Sequence, residues 1–110
     1  MITPETFFSV DMRVGTVLAA EPFPEARKPS IKLTIDFGPE LGTKRSSAQL
    51  TKRYTPEELV GRQVVAAVNL GERRIAGFKS EVLVLGAMPD ATDVVLLQVN
   101  FPVENGTRIG

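Results

Sequence analysis

The feature that most constrains the fold is a strict alternation of apolar and polar residues between positions 31 and 37. Ile31, Leu33, Ile35 and Phe37 alternate with Lys32, Thr34 and Asp36. Successive side chains of a β-strand point to opposite faces, so the pattern predicts a strand with one buried and one wet face. The residues that follow, 38–42, are typical of a turn.

Five further segments are predicted to be strands: residues 13–20, 46–50, 63–70, 81–86 and 94–99. In the first of them, Val14, Thr16, Leu18 and Ala20 are expected to share a face, and Gly15 suggests a bulge or a bend. The segments 63–70 and 81–86 are apolar almost throughout, so both are predicted to be buried on both faces. Between them, residues 71–79 contain two glycines and are predicted to form a loop.

Two short helices are also expected. Thr3, Pro4 and Glu5 suit a helix start, with Phe7, Phe8 and Val10 as its apolar contacts. Residues 55–58 form a capping box that starts the second helix. This order of elements predicts an all-β fold, namely a five-stranded Greek-key barrel of the OB type with short helices and extensions at both ends. The expected organisation is a single domain over residues 1–110.

The composition excludes most catalytic and metal chemistry. The chain contains no cysteine and no histidine, which removes disulfides, thiolate ligands, Cys nucleophiles and the commonest general base. Asp90 and Asp93 are attributed to solvated surface, and Glu57 and Glu58 to helix capping. No glycine pattern matches a phosphate-binding loop or a dinucleotide site. We therefore predict a binding protein with no enzymatic activity, catalytic residues, metal or cofactor.

The predicted location is the cytoplasm. The first ten residues lack the basic and apolar stretches of a secretory signal. The longest apolar runs, 64–68 and 82–85, are far shorter than the roughly 20 residues that span a bilayer.

Charge is unevenly distributed although the formal net charge is zero. Residues 27–53 carry seven basic and two acidic side chains, whereas the segments on both sides are net acidic. Such a band attracts an anionic partner, although an ordinary solvated charged face is an alternative. The residues expected to neutralise RNA phosphates are Arg27, Lys28, Lys32, Lys44, Arg45 and Lys52.

Small polar residues are predicted to accompany these cations. Lys32 and Thr34 are expected on the wet face of one strand, and Ser47 and Gln49 on its neighbour. An OB barrel binds nucleic acid on such a face. Stacking aromatics are scarce, since the chain has no tryptophan and one tyrosine. This scarcity favours structured RNA that is recognised through its backbone and shape.

Several apolar residues have no obvious place in a core. Phe23, Ile75, Phe78 and Phe101 lie in turns or loops of the predicted fold. They are predicted to line a site for non-native polypeptide, with Arg73, Arg74 and Lys79 at its rim. Small clusters packed under loops are the alternative.

The order of several motifs resembles the EMAP II-like tRNA-binding domain and, within that superfamily, the CsaA family. Residues 11–17 (D-M-R-V-G-T-V) resemble the opening D-x-R-V-G motif of the superfamily. The segments that resemble CsaA proteins are 21–29 (E-P-F-P-E-A-R-K-P), 46–51, 54–57, 61–64, 68–70, 80–86 and 94–97. The likeness covers essentially the whole chain in order.

This resemblance implies an OB-fold homodimer whose subunit contact is built by the extensions that flank the barrel. It implies an export-related chaperone that binds unfolded precursor proteins, associates with the secretion ATPase SecA and has no catalytic residues. The wider superfamily binds tRNA, and Arg13, Lys32, Ser47 and Ser80 match positions near its binding face. Leu83 stands where the S-x-x-M motif of the superfamily has methionine.

Two functions are therefore predicted. The favoured one is an ATP-independent, homodimeric chaperone that holds non-native polypeptides in pockets lined by Phe23, Ile75, Phe78 and Phe101. The alternative is a tRNA-binding protein that uses the basic face of the barrel.

Overall fold

The computed structural model describes residues 1–110 and contains three short helices and nine strands. No helix in it combines the length and the apolar character needed to cross a membrane. The elements are α1 (Pro4–Phe8), β1 (Met12–Pro22), β2 (Ile31–Asp36), α2 (Gly38–Leu41), β3 (Thr43–Ala48), α3 (Pro56–Leu59), β4 (Gln63–Ala67), β5 (Arg73–Ile75), β6 (Phe78–Ser80), β7 (Leu83–Val84), β8 (Gly86–Asp90) and β9 (Asp93–Leu96).

Five strands form one antiparallel sheet in the order β3-β2-β1-β4-β7. Its two ends meet, because the Ser46 hydroxyl donates to the Val82 carbonyl at 2.9 Å and the Glu81 N–H donates to the Arg45 carbonyl at 2.8 Å. The sheet is thereby a nearly closed barrel of the OB type, which confirms the predicted fold class. The main core cluster consists of Val17, Ile31, Leu33, Ile35, Phe37, Leu50, Leu59, Val64, Ala66 and Val82.

Strand β2 confirms the alternation from which it was predicted, since its apolar residues are fully buried and its polar ones half-buried. Strand β1 departs from its predicted pattern at Leu18. The register with β2 shifts between Val17 and Ala19, which leaves Val17 buried and Leu18 exposed. The expectation that alternate residues from 14 to 20 share one face is wrong for this reason, because an extra residue reverses the alternation beyond it.

Gly15 is not the site of that bulge, because it pairs regularly with Val64. A Cβ at this position would lie 2.6 Å from Ile35 Cγ2 and 2.7 Å from Phe37 Cδ1. Glycine is therefore required here by the close approach of core side chains, and not by the backbone conformation.

The helix starts are confirmed, and of the expected apolar contacts only Val10 packs against a buried cluster, that of Met12, Val65 and Ala67. Thr3 caps α1 by accepting from the Thr6 N–H at 3.2 Å, and the Thr55 N–H at the start of α3 donates to Glu58 Oε1 at 2.8 Å. Phe7 and Phe8 were expected to make the apolar contacts of α1, yet nearly half of each side chain is exposed.

Several predicted boundaries change. Residues 71–79, expected to be a loop, form the hairpin β5–β6. Its turn residues Ala76 and Gly77 both have positive φ, 48° and 83°, as in a tight hairpin turn. In the predicted strand 81–86 only β7 pairs with the barrel, and Leu83 is not buried. The predicted last strand is the shorter β9, paired with β8, and the predicted turn at 38–42 contains α2.

Candidate ligand-binding faces

Polar side chains line the outward surface of β1, β2 and β3, which we call the basic face. Strand pairing aligns the residues of this surface in two rows, Glu21–Lys32–Ser47 and Ala19–Thr34–Arg45, in which only Ala19 is apolar. Lys32, Thr34 and Ser47 thus lie on neighbouring strands, as the sequence predicted. Gln49 lies beyond the end of β3. The face combines two cations with small hydroxyl and methyl groups, a chemistry suited to an anionic ligand.

Two phenylalanines at the edge of the basic face are covered by its cations. Phe23 follows β1 and Phe78 begins β6, and their ring centroids lie 5.3 Å apart in an edge-to-face arrangement. Lys32 Nζ is 4.6 Å from the Phe23 centroid, and Arg45 Cζ is 4.4 Å from the Phe78 centroid. These are cation–π distances. Phe23 is 3% exposed and Phe78 6% exposed, so within one chain the two rings do not form the open pocket that the sequence suggested.

Ser80 connects the hairpin β5–β6 to β3. Its hydroxyl accepts from the Ser47 N–H at 3.1 Å, and the side chain is buried. Next to it, the Glu81 carboxylate accepts from the Arg45 N–H at 3.0 Å. Ser80 therefore holds the hairpin against the basic face. The Glu81 carboxylate binds the backbone N–H of Arg45, and the guanidinium of that same residue covers Phe78.

Two flanking segments add cations to the basic face. Arg27 and Lys28 are exposed on the loop between β1 and β2, and Arg73 and Arg74 are exposed on β5. Lys79 on β6 is paired with Glu72 at 3.2 Å. In OB barrels these two segments, between the first and second and the fourth and fifth barrel strands, border the ligand face. Arg73, Arg74 and Lys79 were predicted only as the rim of a polypeptide site, and the hairpin also places them beside the basic face.

Arg13 is occupied by contacts within the protein. Its guanidinium donates to Asp11 Oδ1 at 2.7 Å, to Glu40 Oε1 at 3.0 Å and to the Gly106 carbonyl at 3.1 Å. The hydrogen bonds to Asp11 and then Glu40 raise the pKa of Arg13 above its already basic value. Only 12% of the side chain is exposed. Arg13 therefore ties β1 to α2 and the C-terminal tail, and we remove it from the predicted RNA contacts.

Lys44 and Lys52 are separated from the basic face. Lys44 is opposite Ile35 on β2, so it projects to the inward side of β3 and is half-buried. Lys52 Nζ lies 3.3 Å from Asp90 Oδ2, which compensates its charge. The structure thus brings together Lys32, Arg45, Ser47 and Ser80, but neither Lys44 nor Lys52 joins them.

Asp93 is buried, whereas sequence analysis attributed it to solvated surface. Its carboxylate accepts from Arg53 Nη2 at 2.8 Å. This hydrogen bond lowers the pKa of Asp93 below its ordinary value. The ion pair attaches the β8–β9 hairpin to the loop after β3. No group of three or more carboxylates is placed to hold a metal ion.

The outward surface of β1, β4 and β7 is different, and we call it the apolar face. Met12, Val65 and Ala67 form a second small buried cluster there, bordered by Val10, Leu85 and Ile109. Leu83 pairs with Ala67 and is 51% exposed. Leu97, whose N–H donates to the Leu85 carbonyl, is 45% exposed. Large side chains at the rim of a small cluster are typical of a protein contact surface.

The four residues predicted to bind polypeptide are only partly brought together. Ile75 pairs with Phe78 across the β5–β6 turn and is half-buried, so it joins the Phe23–Phe78 pair. Phe101 lies in the C-terminal tail and is 73% exposed.

The sequence profile of the putative tRNA binding domain matches residues 12–108. Among solved structures, the chaperone CsaA from Bacillus anthracis str. Ames is 61% identical, with a TM-score of 0.95 over 100% of this chain and 99% of that one. The CsaA chaperone protein from Picrophilus torridus is 43% identical, with a TM-score of 0.92 over the full length of both chains.

Curated relatives extend the likeness to longer proteins. The methionine–tRNA ligase of Archaeoglobus fulgidus is 39% identical over 98% of this chain. The chain spans only 16% of the length of that enzyme, so the match concerns one part of it. With a family profile over nearly the whole chain and full-length relatives above 40% identity, the chain belongs to the putative tRNA binding domain family and, within it, to the CsaA proteins.

Proposed function

We propose that this protein is an ATP-independent chaperone that works as a homodimer and holds non-native polypeptides. The observation that carries the proposal is the number of large apolar side chains that the fold leaves uncovered. They include Phe7, Phe8, Leu83, Leu97 and Phe101. The full-length likeness to proteins named as CsaA chaperones supports the same function. Export and association with SecA stay predictions from the resemblance.

The apolar face is the proposed contact between subunits. The N-terminal residue Val10 and the C-terminal residue Ile109 both border its cluster, which agrees with a contact built by the chain extensions. Leu83 and Leu97 would become buried there. Removing apolar surface from water contributes about 25 cal/mol per Å². A small domain has a modest core, so such a contact would also stabilise each subunit.

Polypeptide is proposed to bind at Phe101 and at the Ile75–Phe78 end of the hairpin. Phe101 presents a nearly free ring, and Ile75 presents part of its side chain beside Phe78. Arg73 and Arg74 are exposed next to them and suit backbone carbonyls or acidic side chains of a client. Phe23 and Phe78 would contribute more surface only if Lys32 and Arg45 moved off their rings.

An aggregation assay tests this function. A chemically unfolded model enzyme is diluted into buffer with or without the dimer, and light scattering is followed without nucleotide. Wild type is expected to suppress scattering, and Phe101→Asp is expected to lose a large part of that effect because a charge replaces a client contact. Met88→Asp is the matched control, since Met88 is also largely exposed but belongs to neither proposed contact.

Equal suppression by wild type and Phe101→Asp would remove Phe101 from the mechanism. No suppression by wild type at a several-fold molar excess would reject the chaperone function.

A second candidate function, tRNA binding, is favoured by a separate observation. Lys32 and Arg45 stand side by side on the basic face, and Arg27, Lys28, Arg73 and Arg74 border it on both flanks. Each phosphate contact contributes a salt-dependent share of the affinity, because binding releases condensed counterions. The family profile over residues 12–108 supports tRNA as the anionic partner.

A gel-shift salt titration with total tRNA tests this second function. The logarithm of the affinity is expected to fall by roughly 0.7 to 0.9 per log unit of salt for each phosphate contact. A flat salt response, or no shift at micromolar protein, would reject tRNA binding while leaving the chaperone function untouched.

A further inference from the structure

A small hollow lies within the basic face. It has a volume of about 190 Å³ and is lined by Ala19, Ala20, Glu21, Lys32 and Thr34. The hollow exists because the methyl group of Ala19 lies between longer side chains in the two rows of the face. Its floor is apolar, and its walls carry a carboxylate, an ammonium and a hydroxyl group.

Glu21 is the acid that lines the hollow, and it lies beside two cations of the basic face. It pairs with Lys32 across the strands, and its carboxylate is 3.9 Å from Arg45 Nη2. Both partners of that ion pair are largely exposed. An exposed pair of this kind contributes little to stability, and a carboxylate weakens the attraction of phosphates. Neither a gain in stability nor a gain in phosphate binding therefore explains why a glutamate is found at position 21.

We propose that the hollow binds one unpaired cytosine or adenine base of an RNA ligand, with the Glu21 carboxylate accepting a hydrogen bond from the exocyclic amine. The proposal rests on the tRNA-binding function given above. Carboxylates accept from amines of this kind in nucleic-acid complexes. Unpaired RNA bases are the ones that proteins recognise by their edges.

The remaining groups of the hollow complement the same two bases. On the Watson–Crick edge of cytosine and adenine, an unprotonated ring nitrogen lies beside the amine and accepts a hydrogen bond, whereas guanine has a ring N–H there. Lys32 Nζ or the Thr34 hydroxyl supplies the donor. Uracil presents a carbonyl oxygen and a ring N–H at those positions, so its oxygen would face the Glu21 carboxylate. The flanking phosphates would lie against Arg45 and the exposed Arg27 and Lys28.

Three RNA hairpins with one common stem test the proposal, their loops being all cytidine, all adenosine or all uridine. Fluorescence anisotropy at fixed salt measures each affinity. Wild type is expected to bind the cytidine and adenosine hairpins about fivefold to tenfold more tightly than the uridine hairpin. Glu21→Ala is expected to bind all three more tightly, because a negative charge is removed, and to keep less than about a twofold preference, because no acceptor for the amine remains at this position.

A second variant tests the hollow without changing any charge. Ala19→Met fills the floor, so the cytidine and adenosine hairpins are expected to bind as weakly as the uridine hairpin with the same salt dependence. Leu18→Met is the matched control. It introduces the same side chain at an exposed neighbouring position that does not line the hollow, and the preference is expected to persist.

The outcomes separate this proposal from the function on which it rests. Equal affinity of wild type for the three hairpins, with a normal salt dependence, would overturn base recognition and leave charge-driven tRNA binding standing. A preference that persists in Glu21→Ala would overturn the role of Glu21. No salt-sensitive binding of any hairpin would overturn both.

Discussion

The two outward surfaces of the barrel differ in chemistry although they share β1 and one core. On the basic face, the residues of β2 that point away from the core are polar: Lys32, Thr34 and Asp36. On the apolar face, the corresponding residues of β4 are Val65 and Ala67, and the core-facing residues Val64 and Ala66 are apolar as well. When both sides of a strand are apolar, both must be shielded from water: the barrel core shields one side of β4, and the apolar face requires a second contact for the other. The difference indicates that one surface suits a soluble polar ligand and the other suits another protein surface.

The basic side chains also fall into two groups, according to whether they contact aromatic rings or carboxylates. Lys32 and Arg45 lie over aromatic rings, and the Arg45 guanidinium is 3.9 Å from the Glu21 carboxylate. Arg13 and Arg53 instead make close hydrogen bonds with carboxylates. A cation over a ring keeps its hydrogen-bond donors available, whereas one paired with a carboxylate does not. Position in the fold therefore decides which basic residues can meet a phosphate.

The largest expected effect is on the apolar face. In the double variant Leu83→Asp, Leu97→Asp, each lost leucine contact would cost about 1 kcal/mol, because about half of each side chain would be buried in the proposed dimer. Both subunits lose both contacts, so the dimer weakens by about 4 kcal/mol, or about 1,000-fold. Sedimentation velocity measures this shift. Lys32→Asp on the basic face is the control and should leave the dimer intact; a monomeric wild type would remove this role of the apolar face.

A substitution in the shared strand should affect both faces together. Gly15→Val places a branched side chain where a Cβ already lies 2.6 Å from Ile35 Cγ2. Overpacking of this kind is expected to lower the free energy of unfolding by about 2 to 3 kcal/mol. Urea denaturation measures the loss. Leu18→Val on the exposed side of the same strand should change stability by less than about 0.5 kcal/mol, and a comparable loss there would contradict the packing explanation.

Two lysines of neighbouring strands distinguish the basic face from its surroundings. Lys32→Ala is expected to reduce the salt slope of tRNA binding by about 0.7 to 0.9, the contribution of one phosphate contact. Lys44→Ala removes the same charge from the inward side of β3 and should change the slope by much less. The gel-shift titration described above measures both. Equal changes in the two variants would mean that net charge, and not the geometry of the face, governs binding.

The smallest expected effect concerns pH and lies outside both faces. The hydrogen bond from Arg53 lowers the pKa of Asp93 in the folded protein, so its stabilising contribution is present above the ordinary carboxyl pKa. That contribution is lost as the pH falls through the lowered value. Between pH 7 and about pH 3, Asp93→Asn should therefore lose less stability than wild type. Urea midpoints across this range measure the difference, and parallel curves would contradict the assignment.

Sequence patterns were sufficient to predict the strands in which apolar and polar residues alternate, because such strands have one buried and one exposed side. They failed at Leu18, where a bulge reverses the alternation without any residue that marks it. They also failed at the β5–β6 hairpin, because Ala76 occupies a positive-φ position that asparagine or glycine usually fills. The grouping of Phe23 with Phe78 and of Arg13 with Glu40 joins residues more than 25 positions apart, and no local pattern predicts such contacts.

The sequence by itself determined the barrel class, the absence of cysteine and histidine chemistry, and the family, because each depends on residue type and order along the chain. Only the tertiary structure decided which cations stand free on one face, which phenylalanines are covered, and where an acid lies beside a small hollow. Those properties depend on strand register and on the closing of the barrel, and a shift of one residue along a strand moves a side chain to the opposite face.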